Sequence, residues 1–122
     1  MRQALQEQIV EMGLEHHVRM LPPLIERDYR RMLAASDICL VTQAPGTGQY
    51  FFPSKLLSVL SVGTPVLSVA DKDSELARAV EEGQFGVNVE PGDAPALAEM
   101  LCYLAENPAP IERIRWHIQG ST

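Results

Sequence analysis

The sequence predicts an α/β fold of three layers, a mostly parallel sheet of about four strands flanked by helices. Three observations carry this expectation. Short apolar runs alternate along the chain with helical patterns of about ten residues, an order that implies parallel strands joined by crossovers. The runs "DICLVT" (37–42) and "TPVLSVA" (64–70) are rich in β-branched and apolar residues without polar alternation, as strands covered on both faces are. With 122 residues the chain has the size of one domain, able to bury roughly two-thirds of the surface its unfolded form exposes.

Each element has its own signature. Leu5, Ile9 and Met12 follow helical spacing, and Gly13 stands where a left-handed C-cap belongs. "HHVRML" (16–21) reads as a short strand stopped by Pro22-Pro23. "ERDYRRMLAAS" is a helix with Tyr29, Met32 and Leu33 on one face, and it leads into the strand at 37–42. Residues 43–50 form a loop punctuated by glycine and proline. A helix with Leu56, Leu57 and Leu60 on one face follows, and Gly63 stops it before the strand at 64–70. "DSELARAVEEG" has an Asp/Ser start and a Gly83 end. "FGVNVE" is the last strand, and the helix "DAPALAEMLCYLAENP" places Leu97, Met100, Leu101 and Leu104 in register. A domain over 1–108 is thus followed by a tail, 109–122, whose Ile111, Ile114 and Ile118 are spaced as a short amphipathic helix. A doubly wound domain usually opens on a strand, so a chain that opens on a helix reads as a portion of something longer.

Composition narrows the function. The net charge of −6 opposes a general surface for nucleic acid or anionic membrane, though it is compatible with a local basic site. No apolar run is long enough to span a bilayer, and the N-terminus lacks the apolar core of a signal peptide. Cys39 and Cys102 both fall in apolar periodic segments and read as reduced core residues, which points to the cytoplasm.

Ligands of such sheets bind beyond the carboxyl ends of the strands. Here those ends are the loops at 21–25, 43–52, 70–74 and 90–93. The second leads into Pro53-Ser54-Lys55, the start of an apolar helix. A helix N-terminus offers unpaired N–H groups and partial positive charge, so it suits an anion. Lys55 opposes the helix dipole there, and local rules tend to be broken at functional sites. The glycines of "PGTGQ" would let backbone amides approach a phosphate. A structural origin remains equally open: Ser54 is a good N-cap, and loop glycines often only turn the chain.

"FPSKLLSVLSVGTPVLSVAD", followed by "SELARAVEEGQFGVNVEPGDAPALAEML", resembles the C-terminal, donor-binding domain of retaining GT-B glycosyltransferases of the family-4 type. Within that group it is most similar to the capsule, colanic-acid and lipopolysaccharide branch. Pro53, Ser54, Lys55, Leu56, Gly63, Pro65, Val66, Gly86, Val89, Pro91, Gly92 and Asp93 fit the pattern, and the similarity spans about residues 3–106. It implies a nucleotide-diphosphate sugar as donor, UDP- or GDP-linked, with no metal or other cofactor, and transfer of a hexose-type sugar to a polysaccharide or lipid-linked acceptor. By the same resemblance Gly46, Thr47, Gly48, Gln49, Tyr50, Pro53, Ser54, Lys55, Leu56 and Ser58 face the sugar and diphosphate. Met20, Leu21 and Pro22 would lie near the base, and Lys55 would stabilise the departing diphosphate.

Two departures stand out. Ser58 and Tyr50 occupy positions where the group often has acidic residues. The family's two opening strands, with their Arg- and Lys-bearing segment, and its acceptor domain do not precede Met1. The expected partners are therefore an acceptor domain or an oligomer mate, with peripheral membrane association through a longer parent. The parent would be the enzyme, and the chain alone would not turn over. The rival expectation is a non-catalytic α/β module used in subunit assembly. Asp71-Lys72-Asp73 has the spacing of a metal-binding D-x-D, but it stands just before a helix, where Asp73 or Ser74 serves as N-cap. Adjacent His16 and His17 would point to opposite faces of a strand.

Overall fold

The computed structural model describes residues 2–43 and 54–120. The element order is α1 (Arg2–Glu11), α2 (Glu26–Ala35), β1 (Cys39–Thr42), α3 (Ser54–Ser61), β2 (Val66–Val69), α4 (Glu75–Glu82), β3 (Gly86–Val89), α5 (Ala94–Glu106) and α6 (Pro108–Gly120). The three strands form one parallel sheet in the order β1-β2-β3. The α/β class expected from the sequence is therefore the class observed.

Period-two alternation sorts the sheet into two faces. Cys39, Val41, Val66 and Ala70 point to one face, where they pack with Leu33 of α2, Leu56 and Val59 of α3, and Leu76 and Val80 of α4. Leu67 and Val89 are buried on the opposite face, and α5 lies beside Val89. Central β2 is covered on both sides, hence an apolar run that only the buried Ser68 interrupts. Gly86 pairs with Val66, and a Cβ there would overlap the Val66 carbonyl, so only glycine permits this approach of β3 to β2.

The expected fourth strand at 16–21 does not form. After the left-handed Gly13 (φ +70°), the amides of His17 and Val18 both donate to the Leu14 carbonyl, closing a turn. Pro22 and Pro23, which lack N–H donors, then carry the chain to α2 without ladder bonds. Among the described residues β1 has β2 as its one neighbour.

Several predicted faces are narrower than their spacing suggested. Of the α1 stripe, Ile9 is buried while Leu5 and Met12 stay exposed. Leu57 and Leu101 point outward from α3 and α5, and Met32 is partly exposed on α2. Cys39 is half-buried and Cys102 exposed, so Cys102 is not a core residue. No helix among the described residues is long and apolar enough to cross a membrane.

The tail is a 13-residue helix laid across the amino-terminal edge of the sheet. Three polar side chains fix α6 at the carboxyl ends of three other helices. Arg115 Nη2 donates to the carbonyls of Ser36 (2.9 Å) and Asp37 (3.3 Å), beyond α2. His117 Nε2 lies 3.1 Å from the Gly83 carbonyl, beyond α4. A carbonyl only accepts, so Nε2 carries the proton. The Gln119 side chain packs over Gly63, where an added Cβ would meet its Cγ at 2.8 Å. Gly63 has φ +80° and ends α3. Donors at these negative helix ends satisfy carbonyls that a helix leaves free.

Candidate functional site

Parallel β1, β2 and β3 direct their carboxyl ends to one rim. There Gln43 follows β1, residues 70–74 follow β2, and residues 90–93 follow β3. Helices α3, α4 and α5 each follow a strand, so all three begin on this rim and aim their amino-terminal dipoles at it.

These three helix starts differ electrostatically. Buried Ser74 caps α4, its Oγ accepting from the Ala77 amide at 3.1 Å, and Glu75 occupies the first turn. Asp93 caps α5, its carboxylate accepting from the Ala96 amide at 3.0 Å. Each of those ends has spent an amide on its own cap and carries a negative charge. The first turn of α3 holds no acidic residue and contains Lys55. Carboxylates therefore stand at the starts of α4 and α5, and the first turn of α3 has none.

The D-x-D segment resolves as a cap. Ser74, not Asp73, is the N-cap of α4; the Asp71 carbonyl accepts from the Ser74 amide at 2.9 Å, and the Asp73 carbonyl accepts from Arg78 at 3.0 Å. Among the described residues no group of three or more His, Cys, Asp or Glu is arranged to hold a metal.

A polar pair braces the rim from beneath. Ser68, fully buried on β2, donates its hydroxyl to Asn88 Oδ1 at 2.6 Å. Asn88 Nδ2 on β3 donates to the Ala70 carbonyl at 3.0 Å. These bonds join β2 and β3 where the rim loops leave the sheet. The sequence signal for them was only two polar residues inside apolar strands.

The sequence-predicted site residues are placed as follows. Gly46, Thr47, Gly48, Gln49, Tyr50 and Pro53 lie outside the described residues. Ser54 and Lys55 form the first turn of α3 on the rim. Leu56 is 1% exposed, and its side chain locks that turn into the core with Val41 and Val66. Ser58, one turn farther along, is half-buried, and its carbonyl accepts from the Ser61 hydroxyl at 2.7 Å. Met20 is half-buried, while Leu21 and Pro22 are exposed before α2.

Two grooves accompany the rim and its opposite edge. One of about 480 Å³ runs beside β3 and α5, lined by Asn88, Glu90, Asp93, Glu99 and Tyr103, and its carboxylates disfavour a phosphate. A larger one, about 630 Å³, lies at the other end of the sheet between Ile38, Leu101, Leu104, Ile111 and Arg115. Its size does not make it the site, because it is remote from the strand carboxyl ends.

Residues 1–107 match the family model described as glycosyl transferases group 1. The chain is 34% identical over 84 residues to a probable glycosyltransferase, WbjE, of Pseudomonas aeruginosa, an alignment covering 69% of this chain and 20% of that protein. It is 31% identical over 101 residues to a phosphatidyl-myo-inositol mannosyltransferase of Mycobacterium leprae (strain TN), covering 83% of this chain and 26% of the relative. The chain thus spans about a fifth to a quarter of the curated relatives it matches. No solved structure matches it.

Proposed function

The chain belongs to the group 1 glycosyl transferases, and from that membership we propose that it forms the donor-binding half of a retaining enzyme of GT-B type. The donor is a UDP- or GDP-linked hexose. Its diphosphate is held at the first turn of α3 by the backbone amides, the Ser54 hydroxyl and the Lys55 ammonium. The acceptor is a polysaccharide or a lipid-linked glycan. The observation that carries this assignment is the electrostatic difference at the rim: of three helix starts, α3 alone combines a cation with a first turn free of carboxylates.

The chemistry follows from the charge. Transfer breaks the bond between the anomeric carbon and the diphosphate oxygen, and the acceptor hydroxyl forms the new bond on the same face. Its proton passes to the leaving diphosphate. Negative charge grows on that leaving group, so preorganised donors at α3 stabilise the transition state more than the ground state. Groups that orient the acceptor belong to a longer enzyme, and the chain alone is expected to bind donor without turnover.

Titration calorimetry with UDP, GDP and their hexose conjugates tests the assignment. Lys55→Ala removes one charge-assisted contact and is expected to weaken the diphosphate by roughly 10- to 100-fold, with little change for the free nucleoside. Equal affinity of wild type and variant, or no diphosphate binding by the wild type, would sink it.

A further inference from the structure

Donor binding at the rim leaves unexplained the groove of about 630 Å³ at the opposite end of the sheet. Its shape follows from a one-residue joint. Helix α5 ends at Glu106 and α6 begins at Pro108; the amide and the side-chain nitrogen of Asn107 between them both donate to the Tyr103 carbonyl at 2.9 Å. Helices joined so closely ordinarily pack side by side. Here Arg115 and His117 hold α6 to the ends of α2 and α4, and a space remains between α5, α6 and the start of β1. Buried Leu104 floors it with half-buried Ile38 and Ile111, and Leu101, 41% exposed, stands at its lip. A concavity of this size, mostly apolar with a few polar groups converging on it, is the usual form of a small-molecule site.

The polar groups of the groove are Arg115, Asp37 and Glu112. Arg115 is half-buried, and its Nη2 is tied to the Ser36 and Asp37 carbonyls. A guanidinium carries five N–H donors in a fixed fork, so three remain on Nε and Nη1. Among the described residues these make no hydrogen bond. The one ion pair among those residues joins Arg27 and Asp28, so neither Asp37 nor Glu112 closes on Arg115 although all three line the groove. The anchored guanidinium and the two carboxylates are thus held apart, each open to a guest.

These charges select the guest. A fatty acid would reach Arg115 but meet two carboxylates beside it, and an apolar amine would leave Arg115 unused. A molecule with a carboxylate and an ammonium on one carbon, and a large apolar side chain, answers all three groups. We propose that this groove binds a free amino acid with a large apolar side chain. Its carboxylate accepts from a free nitrogen of Arg115, and its ammonium faces Asp37 and Glu112. The side chain displaces water from Ile38, Leu101, Leu104 and Ile111. The site is separate from the donor rim, and donor binding plays no part in its test.

The experiment is an NMR titration of the full chain, without nucleotide, using L-phenylalanine as the probe. Two analogues each lack one charge: hydrocinnamate has no ammonium and phenethylamine no carboxylate. Phenylalanine is expected to shift the amides of residues 37–38, 101–105 and 111–115 and to leave residues 70–74 on the rim unmoved. It should bind about tenfold tighter than either analogue, the worth of one charge-assisted contact. Arg115→Ala is expected to weaken phenylalanine about tenfold and leave phenethylamine unchanged. Asp37→Asn with Glu112→Gln is expected to weaken phenylalanine only about fivefold, because both carboxylates are exposed, and to strengthen hydrocinnamate. Neither of those side chains makes a bond within the fold among the described residues, so this variant decides the matter if Arg115→Ala loosens α6.

No saturable shift by about 10 mM phenylalanine, equal affinity for the three probes, or shifts at the rim in place of the groove would each overturn the proposal. So would phenylalanine binding that the carboxylate variant leaves unmoved. A chain that binds phenylalanine yet fails to bind nucleotide would remove the donor assignment and leave this one standing, and the converse result would do the opposite.

Discussion

Ser68→Ala tests the brace beneath the rim. Ser68 is fully buried and its hydroxyl lies 2.6 Å from Asn88 Oδ1. Removing it leaves a half-buried amide oxygen without its donor, at a cost of about 1–3 kcal/mol. Asn88→Ala loses the same bond and the 3.0 Å bond to Ala70, and should cost about 2 kcal/mol. Because the two variants delete one shared bond, the double variant should be about 1 kcal/mol less damaged than their sum. Asn88→Asp tests the amide orientation. The introduced carboxyl, when protonated, can still donate to the Ala70 carbonyl while accepting from Ser68, but once ionised it turns an anion on that carbonyl. Its folded-state pKa is therefore raised, so stability held below about pH 4 is lost as pH rises through the folded pKa. Urea unfolding followed by circular dichroism is the suitable assay. Trp116 is 78% exposed, so its fluorescence reports little of the transition. Additive single variants, within about 0.3 kcal/mol, would refute the brace.

Two further outcomes concern the frame around the site. Gly86→Ala drives a methyl group into the Val66 carbonyl and should cost more than about 3 kcal/mol, visible as a collapse of the thermal midpoint; a loss below about 1 kcal/mol would show that the strands can separate. Arg115→Ala removes both bonds to the Ser36 and Asp37 carbonyls and should cost about 1 kcal/mol after allowance for partial exposure. Hydrogen exchange should quicken in α6 and not in β2. Uniform quickening would mean that α6 is part of the global unfolding unit.

The position of the candidate site was legible before any coordinates, because it depends on topology alone. Apolar runs alternating with helical patterns imply parallel strands, parallel strands send their carboxyl ends to one rim, and Ser54-Lys55 falls at that rim. The contrast with α4 and α5 was only partly legible. Ser74 and Asp93 were readable as caps, but that each accepts an amide required hydrogen-bond geometry. The faces drawn on α1, α3 and α5 were too broad because periodicity says which residues share a side, not how far a neighbour covers it.

Local chemistry by itself determined the alternating order, the glycine that ends α3 and the capped starts of α4 and α5, since each rests on residues within a few positions of one another. Tertiary structure alone decided the rest. The segment at 16–21 has strand-like residues, but a strand exists only when another backbone accepts its ladder, and here the amides of His17 and Val18 close on Leu14 instead. The isoleucines of α6 marked an amphipathic helix. Its role at the ends of α2, α3 and α4 joins residues as far apart as Ser36 and Arg115, a distance along the chain over which no spacing rule operates.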